Sequence, residues 1–361
     1  MSVDFLESFD NYTTFTTGQL GKWQTINNNG NVLGFHPTGG RNGTQSLSAQ
    51  ASGAINAPGG YFQRGYATTT REIIGIAVKV SVFDVAGTCY PLQWLDGTTP
   101  QVSLAIGPTG LVSLIRGATN SGVILATSAS PVIAATGVYY YLELDVTFNN
   151  GAGAFTLRSN GVQVFTAAAQ NTAPSGANQM TTLRLGTINN NPAGFTNFTQ
   201  VDFDDIYTIN PNVGARNLAF LGDTRVFASF PNADGGTLQF TPSPNQAHYL
   251  NVREVEQDGD ATYNFDANAL DIDLYQHTPT PASTGTVFAV QLCQVSRKDD
   301  AAARSTSNYL KSGASVVQGA VDPLSQSYAW YLDVIEVDPA TTNPFTKAGI
   351  DAAQIGVIVA A

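Results

Sequence analysis

The chain has 361 residues, of which 16 are basic and 27 acidic, so its formal net charge is −11. Only 12% of the residues are charged, against about 25% in an ordinary soluble domain, and the surface must therefore consist largely of neutral polar side chains. The negative charge argues against nucleic acid and against an anionic membrane surface as partners, because both need clustered Lys and Arg. The length favours two domains, since a single core stops growing at roughly 250 to 300 residues.

We expect no targeting signal at the N-terminus. Residues 1–10 contain three acids, no base and no apolar run of the kind that a secretory signal needs. No segment has the roughly 18 consecutive apolar residues of a membrane-spanning helix. Cys89 and Cys293 are too few for a disulfide framework, which suits synthesis in a reducing cytoplasm. We expect both to be small buried hydrophobic residues.

Alternation of apolar and polar residues with a period of two predicts strands along most of the chain. Residues 74–82 place five apolar side chains on one face of a strand, and residues 140–148 do the same. Turn sequences at residues 149–151 and 160–161 then lead into two further strands. This stretch predicts a three-stranded antiparallel meander.

Short strands between clusters of Gly, Asn, Thr and Pro continue to the C-terminus, a pattern typical of sandwiches and barrels. Residues 201–209 form the last predicted strand of the first half, and Pro211 and Gly214 then interrupt strand pairing. We predict a linker at residues 210–217.

The fold class that follows is all-β, with two β-sandwich domains. The first spans residues 1–210, and the second, smaller sandwich spans residues 218–361. The second domain contains the one predicted helix, over residues 346–354, where Thr346 has the side chain of an N-cap.

Two acidic side chains on one predicted strand are the first candidates for catalysis. Glu143 and Asp145 alternate on the same face, and two carboxylates about 5 to 5.5 Å apart are the arrangement of a retaining glycosidase. The sandwich-fold glycosidases that this strand resembles carry a further Glu in the same row, where this chain has Thr147 and Asn149. We therefore interpret the pair as part of a solvated polar face and predict no glycosidase activity.

Asp202, Asp204 and Asp205 form the densest acidic cluster of the first half. Such clusters can bind a hard cation such as calcium. Alternation places Asp205 on the same face as Phe203 and Tyr207, and a buried carboxylate usually accepts hydrogen bonds from loop amides. We expect this structural role for Asp205, and a metal site at the cluster is the alternative.

The remaining polar and aromatic candidates form no motif, so no catalytic residue, cofactor or metal is predicted, and no enzyme is expected. Three aspartates miss the calcium-loop spacing and are expected in a turn: Asp258, Asp260 and Asp266. The histidines have no partner at metal-ligand spacing: His36, His248 and His277. The tryptophans could stack on sugars, but core positions are the stronger expectation: Trp23, Trp94 and Trp330.

Several short motifs resemble a known family. The opening residues 7–12, ESFDNY, and Lys22-Trp23 resemble the start of laminin-G-like, concanavalin A-like jelly-roll domains encoded among the structural genes of tailed bacteriophages. The strand at residues 140–148 and the segment at residues 202–207, DFDDIY, match the later half of such a domain. The resemblance covers most of residues 1–210.

The second half resembles a companion module found behind such domains in phage virion proteins. The matching segments are residues 222–226, 297–300, 343–346 and 353–357. The resemblance implies a structural component of the virion, tail-associated, which is made in the host cytoplasm, docks through one domain and displays the other. Its partners would be other copies of itself and other virion proteins. The alternative is a carbohydrate-binding host adhesin, with host-surface glycans as partners, or a capsid decoration protein.

Overall fold

The computed structural model describes residues 2–13, 15, 21–28, 32–50, 59–83, 87–119, 121–188 and 200–360. The chain divides into two compact units. One consists of Ser2–Asp10 and Thr14–Phe227, and we call it the jelly-roll unit. The other consists of Asn11–Thr13 and Ala228–Ala361, and we call it the C-terminal unit. Both are built from antiparallel strands, which confirms the predicted all-β class.

The jelly-roll unit consists of strands and one short 3-10 turn at Arg41–Gly43. In the described residues its strands are β1 (Val3–Glu7), β2 (Thr25–Asn27), β3 (Val32–His36), β4 (Ser46–Gln50), β5 (Tyr61–Thr69), β6 (Arg71–Val82), β7 (Cys89–Asp96), β8 (Thr99–Ile106), β9 (Val112–Arg116), β10 (Val123–Thr127), β11 (Tyr139–Thr147), β12 (Gly153–Ser159), β13 (Val162–Gln170), β14 (Met180–Gly186) and β15 (Gln200–Ile209).

These strands form two sheets. The front sheet has the order β13-β12-β11-β6-β15-β4-β3, with β1 also paired to β15. The back sheet has the order β10-β9-β8-β7-β14-β5-β2. The predicted meander is confirmed, since β11, β12 and β13 are neighbours in the front sheet. The predicted strands at residues 74–82 and 201–209 are confirmed as parts of β6 and β15.

The core of the jelly-roll unit lies between the two sheets. Alternate residues of β11, including Leu142, Leu144 and Val146, are buried on the inner face of the front sheet. Trp94 is fully buried, and its ring lies 6.3 Å from the ring of Phe148, centroid to centroid. Burying a large apolar side chain contributes about 1.5 to 3 kcal/mol, so the period-two pattern of these strands accounts directly for the sandwich.

The C-terminal unit has shorter strands and a helix. In the described residues these are β16 (Pro231–Leu238), β17 (Thr241–Ser243), β18 (Tyr263–Phe265), β19 (Ile272–His277), β20 (Val290–Ser296), β21 (Ser305–Ser312), β22 (Ser315–Gln318), β23 (Asp322–Pro323), β24 (Ala329–Ile335), β25 (Gln354–Val359) and the helix α1 (Lys347–Ala352). A 3-10 turn spans His248–Asn251. The predicted helix is confirmed, and the side chain of Thr346 caps it by accepting a hydrogen bond from the amide of Gly349.

A six-stranded sheet organises the C-terminal unit. Its order is β16-β19-β25-β21-β22, with β23 beside β21, while β17 pairs with β18 and β20 pairs with β24. One hydrophobic cluster joins β20, β21, β24 and α1: Leu292, Leu310, Ile335, Phe345, Ile350 and Ala353. In the described residues no helix is long and apolar enough to be a membrane span.

The two units divide between Phe227 and Ala228, whereas the linker was predicted at residues 210–217. Residues 218–227 therefore belong to the jelly-roll unit. They bind to it through three backbone amides and through polar side chains, among them Asp223 and Thr224, and a docking of that kind leaves no apolar pattern in the sequence.

The two cysteines differ in their surroundings. Cys89 is buried as expected, but Cys293 is exposed, so the expectation is wrong for Cys293. The reason is alternation along β20, where Leu292 and Gln294 are the buried neighbours on either side.

Candidate functional site

The front sheet has an outer face, turned away from the sandwich core, where both acidic clusters of the sequence meet. Residues that pair directly across antiparallel strands share a face. Gly75, on β6, pairs with Glu143 on one side and with Tyr207 on the other. Asp202, on β15, pairs with Lys79 of the same central strand. The two acidic clusters lie far apart in the sequence, and the structure places them on β11 and β15, the two strands that flank β6.

A β-bulge in β15 decides which side chains reach this face. The register between β15 and β6 shifts between Asp204 and Tyr207, and Asp205 has a φ of 50°. One extra residue reverses the alternation, so Phe203 faces the core and Tyr207 faces outward. The prediction that Asp205 shares an apolar face with both residues is therefore wrong.

The predicted structural role of Asp205 is confirmed. Its Oδ1 accepts a hydrogen bond of 2.8 Å from the amide of Val226, and its Oδ2 lies 3.0 Å from NH1 of Arg41. The Asp205 side chain is only 4% exposed. The same Arg41 NH1 donates to the carbonyl of Thr224 at 3.0 Å. Charge-assisted hydrogen bonds of this kind are stronger than neutral ones.

Glu143 is held by the same stretch of chain. Its Oε1 accepts hydrogen bonds from the hydroxyl of Tyr207 at 2.6 Å and from the amide of Gly222 at 2.8 Å. The Tyr207 hydroxyl also accepts one from the amide of Leu221 at 3.1 Å. We call residues 221–226 the clasp segment. Glu143 is 1% exposed, so the interpretation of the acidic pair as a solvated face is wrong for Glu143.

Gly75 makes the Tyr207 contact possible. A Cβ atom at this position would lie 2.0 Å from the Tyr207 ring, so the ring rests directly on the backbone of β6. Any larger residue would displace the hydroxyl that donates to Glu143. Neither Gly75 nor the clasp segment was a candidate site in the sequence, because glycine carries no reactive group and the polar residues of the clasp segment form no catalytic or metal-binding motif.

Burial changes the protonation of the acidic groups on this face. It raises the pKa of Asp204 and of Asp205, and the nearby Asp205 carboxylate raises that of Asp204 further. Hydrogen bonds from backbone amides act in the opposite direction: Asp204 accepts one from Arg41 at 2.7 Å and one from Asp205 at 2.8 Å. Burial also raises the pKa of Tyr207, which stays a neutral donor.

Asp202 forms a separate ion pair. Its Oδ2 lies 2.8 Å from Nζ of Lys79 and 3.4 Å from Nδ1 of His36. Each of the three clustered aspartates thus has its own cation or amide partners. Across the described residues, no group of three or more His, Cys, Asp and Glu side chains is arranged to hold a metal ion.

Asp145 lies at an open cleft on the same strand face. Arg71 binds it through two hydrogen bonds, Nε to Oδ1 at 2.9 Å and NH2 to Oδ2 at 2.7 Å. The cleft has a volume of about 180 Å³ and is also lined by Thr147, Phe155 and Thr156. Asp145 is 21% exposed, so Glu143 and Asp145 lie in different environments although they are only two residues apart.

The other candidates have structural partners. Asp258 accepts hydrogen bonds from the amide and hydroxyl of Thr262, and Asp266 accepts one from the amide of Asn268, as expected for turn residues. Asp260 instead pairs with Arg297. Trp23 and Trp94 are buried, and Trp330 is partly buried.

His248 and His277 belong to the C-terminal unit, and both have polar partners within it. Nδ1 of His248 lies 2.7 Å from Oδ2 of Asp273, a carboxylate that also accepts hydrogen bonds from the amides of Gln239 and Phe240. Nε2 of His277 lies 2.9 Å from the carbonyl of Ile350, which connects β19 to α1.

Comparisons with known proteins concern the fold. No family model and no curated protein matches the chain. Among solved structures, an endo-β-1,4-glucuronan lyase from the fungus Trichoderma reesei is similar at 14% identity and a TM-score of 0.45, covering 58% of this chain and 96% of its own. The alginate lyase vAL-1 from Chlorella virus is similar at 12% identity and a TM-score of 0.40, covering 53% and 93%. The cellulose-induced protein Cip1 has 16% identity and a TM-score of 0.42, covering 56% and 96%.

These neighbours contradict the prediction that the chain is no enzyme, because several of them are polysaccharide lyases. That prediction is withdrawn. It rested on the absence of a third carboxylate beside Glu143 and Asp145. That criterion concerns one active-site arrangement of glycosidases and says nothing about lyases. At 8% to 16% identity the likeness is one of fold and assigns neither a reaction nor a site to this chain.

Proposed function

We propose that this protein is a structural component of a tailed bacteriophage virion, tail-associated, in which one unit docks on the particle and the other is displayed. The observation that carries the proposal is the bonding between two motif segments of the sequence resemblance. Residues 202–207 and residues 222–226 lie on either side of the predicted linker, yet the carboxylate of Asp205 accepts a hydrogen bond from the amide of Val226. The motif residues thus act together in one structural cluster.

The chemistry of this cluster suits an architectural role. Glu143, Asp205 and Tyr207 are each at most 3% exposed. Oε1 of Glu143, Oδ1 of Asp205 and the Tyr207 hydroxyl bond to one another or to the clasp segment, while Oε2 of Glu143 is buried without a partner among the described residues. Hydrogen bonds between buried polar groups rigidify the fold around them. A subunit that transmits load between a particle and its surroundings needs this rigidity.

Mass spectrometry of purified virions tests the proposal. We expect the chain in the particle in several copies, because virion proteins occupy symmetric positions. We also expect it to stay bound at about 1 M salt, since a surface with few charges makes few screened contacts. Absence of the chain from purified particles, with the chain present in the infected lysate, would refute the virion role.

A second candidate function is glycan binding at the cleft of Asp145. The observation that favours it is the open position of the Arg71–Asp145 pair beside the side chains of Thr147 and Thr156. A paired guanidinium and carboxylate next to hydroxyl groups can bind the hydroxyls of one sugar ring. Calorimetric titration with host-surface oligosaccharides should give a binding signal that Arg71→Ala removes and Arg158→Ala retains. No signal with any host glycan would remove this candidate.

A further inference from the structure

The two sheets of the jelly-roll unit differ in charge. The strands of the front sheet, β1 included, carry eight acidic and three basic side chains, a net charge of −5. The strands of the back sheet carry three Arg and one Asp, a net charge of +2. The back sheet is therefore a basic element in a chain whose net charge is −11.

A row of polar side chains crosses the outer face of the back sheet. Each member pairs directly with the next across β2, β5, β14, β7 and β8, and we call them the polar row: Thr25, Gln63, Arg184, Gln93 and Ser103. Directly paired residues share a face. Leu183, next to Arg184 on β14, pairs with Trp94, whose ring packs in the core against Phe148. Arg184 and the rest of the polar row therefore lie on the face turned away from the core.

Arg184 has no carboxylate partner among the described residues. Its Nε donates to Oε1 of Gln63 at 2.8 Å, and its guanidinium lies over the Tyr61 ring, 4.2 Å from the centroid. Burial lowers the pKa of Arg184, and Tyr61 is the titratable neighbour that opposes this shift. Removing a charge from water without a counter-charge is costly. Arg41 and Arg71, by contrast, each bind an aspartate.

An apolar cluster lies beside Arg184. Tyr61, the ring under the guanidinium, packs against its four members: Tyr90, Ala105, Ile115 and Ile188. Apolar surroundings lower the local dielectric constant and so strengthen the attraction between a guanidinium and an anion.

The polar row has a closed half and an open half. Gln93 and Ser103 are 2% and 0% exposed, and Nε2 of Gln93 donates to Oγ of Ser103 at 2.9 Å. Arg184 and Gln63 are half-buried, and Thr25 is exposed. The open half thus offers a hydroxyl, an amide and a guanidinium on three adjacent strands, a span of about 10 Å.

We propose that the open half of the polar row binds an acidic saccharide, with a carboxylate of the sugar paired to Arg184. A guanidinium is planar and binds a carboxylate through two parallel hydrogen bonds. Arg184 uses Nε for Gln63, and its two NH2 groups have no partner among the described residues. The amide of Gln63 and the hydroxyl of Thr25 can bond to ring hydroxyls, which a simple carboxylic acid lacks.

This site is separate from the Asp145 cleft. That cleft lies on the front sheet, and its guanidinium, on Arg71, is already paired with a carboxylate. A sheet with a net charge of +2 attracts an anion, whereas a sheet with a net charge of −5 repels it. The inference goes beyond the proposed virion role and does not rest on it, because the polar row contains none of the motif residues that carry that role.

Calorimetric titration of the purified full-length chain with matched saccharides tests this inference. The probes are the trisaccharides of glucuronate and of galacturonate, each with its methyl ester, and sialyllactose with lactose. The esters keep the rings and the hydroxyls and lose only the charge. We expect at least one acidic probe to bind, and its neutral counterpart to bind at least about tenfold more weakly, because charge-assisted hydrogen bonds are the stronger ones. Raising the salt from about 0.05 M to about 0.5 M should weaken the binding.

Arg184→Gln should weaken binding of the acidic probe at least about tenfold, since it removes the charge and the planar fork. Arg184→Lys keeps the charge and loses the fork, so its affinity should lie between those of Arg184→Gln and the wild type. The matched control is Arg116→Gln, which removes the same charge from β9, three strands away from β14 in the same sheet, and it should bind like the wild type. Circular dichroism shows whether each variant is folded.

Failure of every acidic probe to bind would overturn the inference. So would equal binding of the neutral counterparts, binding of acetate as tight as that of the saccharides, or equal losses in Arg184→Gln and Arg116→Gln. A signal that Arg71→Ala removes and Arg184→Gln retains would belong to the Asp145 cleft and would also overturn it. None of these results changes whether the chain is found in virions, so the two proposals fail separately.

Discussion

Asp205 and Asp145 provide a comparison of two arginine–carboxylate pairs on one sheet face. The Arg41–Asp205 pair is 10% and 4% exposed, and the Arg71–Asp145 pair is 37% and 21% exposed. Breaking a buried pair costs more than breaking an exposed pair, which contributes about 0 to 1 kcal/mol. Asp205 also accepts a hydrogen bond from the amide of Val226 and lies 3.7 Å from Arg225, so the two aspartates should differ in their contribution to stability.

We expect Asp205→Asn to destabilise the jelly-roll unit by about 1 to 3 kcal/mol, because the amide keeps only one of the two buried acceptor oxygens that bind Arg41 and the amide of Val226. Arg41 keeps Asp223 as its second carboxylate partner. Asn tolerates the positive φ at this position, so the backbone is not strained further. Asp145→Asn is the control and should cost less than about 1 kcal/mol. Thermal unfolding of both variants measures the difference, and equal losses would contradict the burial argument.

A second residue-scale feature lies in the interior of the jelly-roll unit. Glu72 on β6 is fully buried, and its carboxyl group lies near Asp4, Arg64 and the hydroxyl of Thr208. Burial raises its pKa well above the usual range, and nearby Asp4 raises it further while Arg64 opposes the shift. Burial also raises the pKa of Asp4, to about 6. Because the carboxyl groups of Asp4 and Glu72 lie near a single guanidinium, that of Arg64, the pair favours keeping one proton.

These shifts predict that the jelly-roll unit loses stability as pH rises. A carboxyl group with a raised folded-state pKa contributes stability that is complete below its unfolded pKa of about 4. For Asp4 this contribution is lost as pH rises from about 4 through about 6, and for Glu72 the loss continues above that range. Glu72→Gln cannot ionise, so its melting temperature should exceed that of the wild type at pH 8 and match it at pH 4. A constant difference between the two proteins at all pH values would show that Glu72 does not titrate.

At the scale of elements, β6 is the strand on which the outer face depends. Gly75→Ala would place a methyl group against the Tyr207 ring, and overpacking of this kind costs about 1 to 3 kcal/mol. Gly34, on β3 of the same sheet, has no atom within 4 Å of an added Cβ, so Gly34→Ala is the matched control and should be neutral or slightly stabilising. Chemical denaturation of both variants measures the difference. A neutral Gly75→Ala would mean that Tyr207 can move without losing its bond to Glu143.

The strands could be predicted from the sequence, but the side chains that lie together on the outer face of the front sheet could not. Strands β6 and β11 follow from period-two alternation, because one face of each is apolar along its whole length. The bulge at Asp205 could not be predicted, since no Gly or Pro marks it and alternation simply changes phase there. The clasp segment was assigned to the second domain because it binds through backbone amides and polar side chains, and these make no apolar pattern that would join it to the strands before it.

At the scale of the whole molecule, the clasp segment determines where the jelly-roll unit ends. A fragment that ends at Phe227 keeps the amides of Gly222 and Val226 that bond to Glu143 and Asp205, and a fragment that ends at Asn210 loses them. We expect the shorter fragment to unfold at a clearly lower temperature, since it leaves buried carboxylates unsatisfied. Calorimetry of the two fragments measures their melting temperatures. Equal values would show that the jelly-roll unit ends at residues 210–217, as the sequence predicted.

The functional proposal depends on the motif resemblance, and the structure confirms the all-β sandwich class that was predicted with it. The sequence could predict a jelly roll and a buried role for Asp205. It could not predict that Glu143 is buried, because the clasp segment that buries it lies about eighty residues away and has no apolar pattern.

Electron cryomicroscopy of intact phage particles tests the proposed virion role directly. We expect density for the two-sheet jelly-roll unit and for the smaller C-terminal unit at symmetry-related positions on the particle, with one unit on the particle surface and the other pointing outward. A well-resolved particle map in which every density is accounted for by other chains would contradict the virion role.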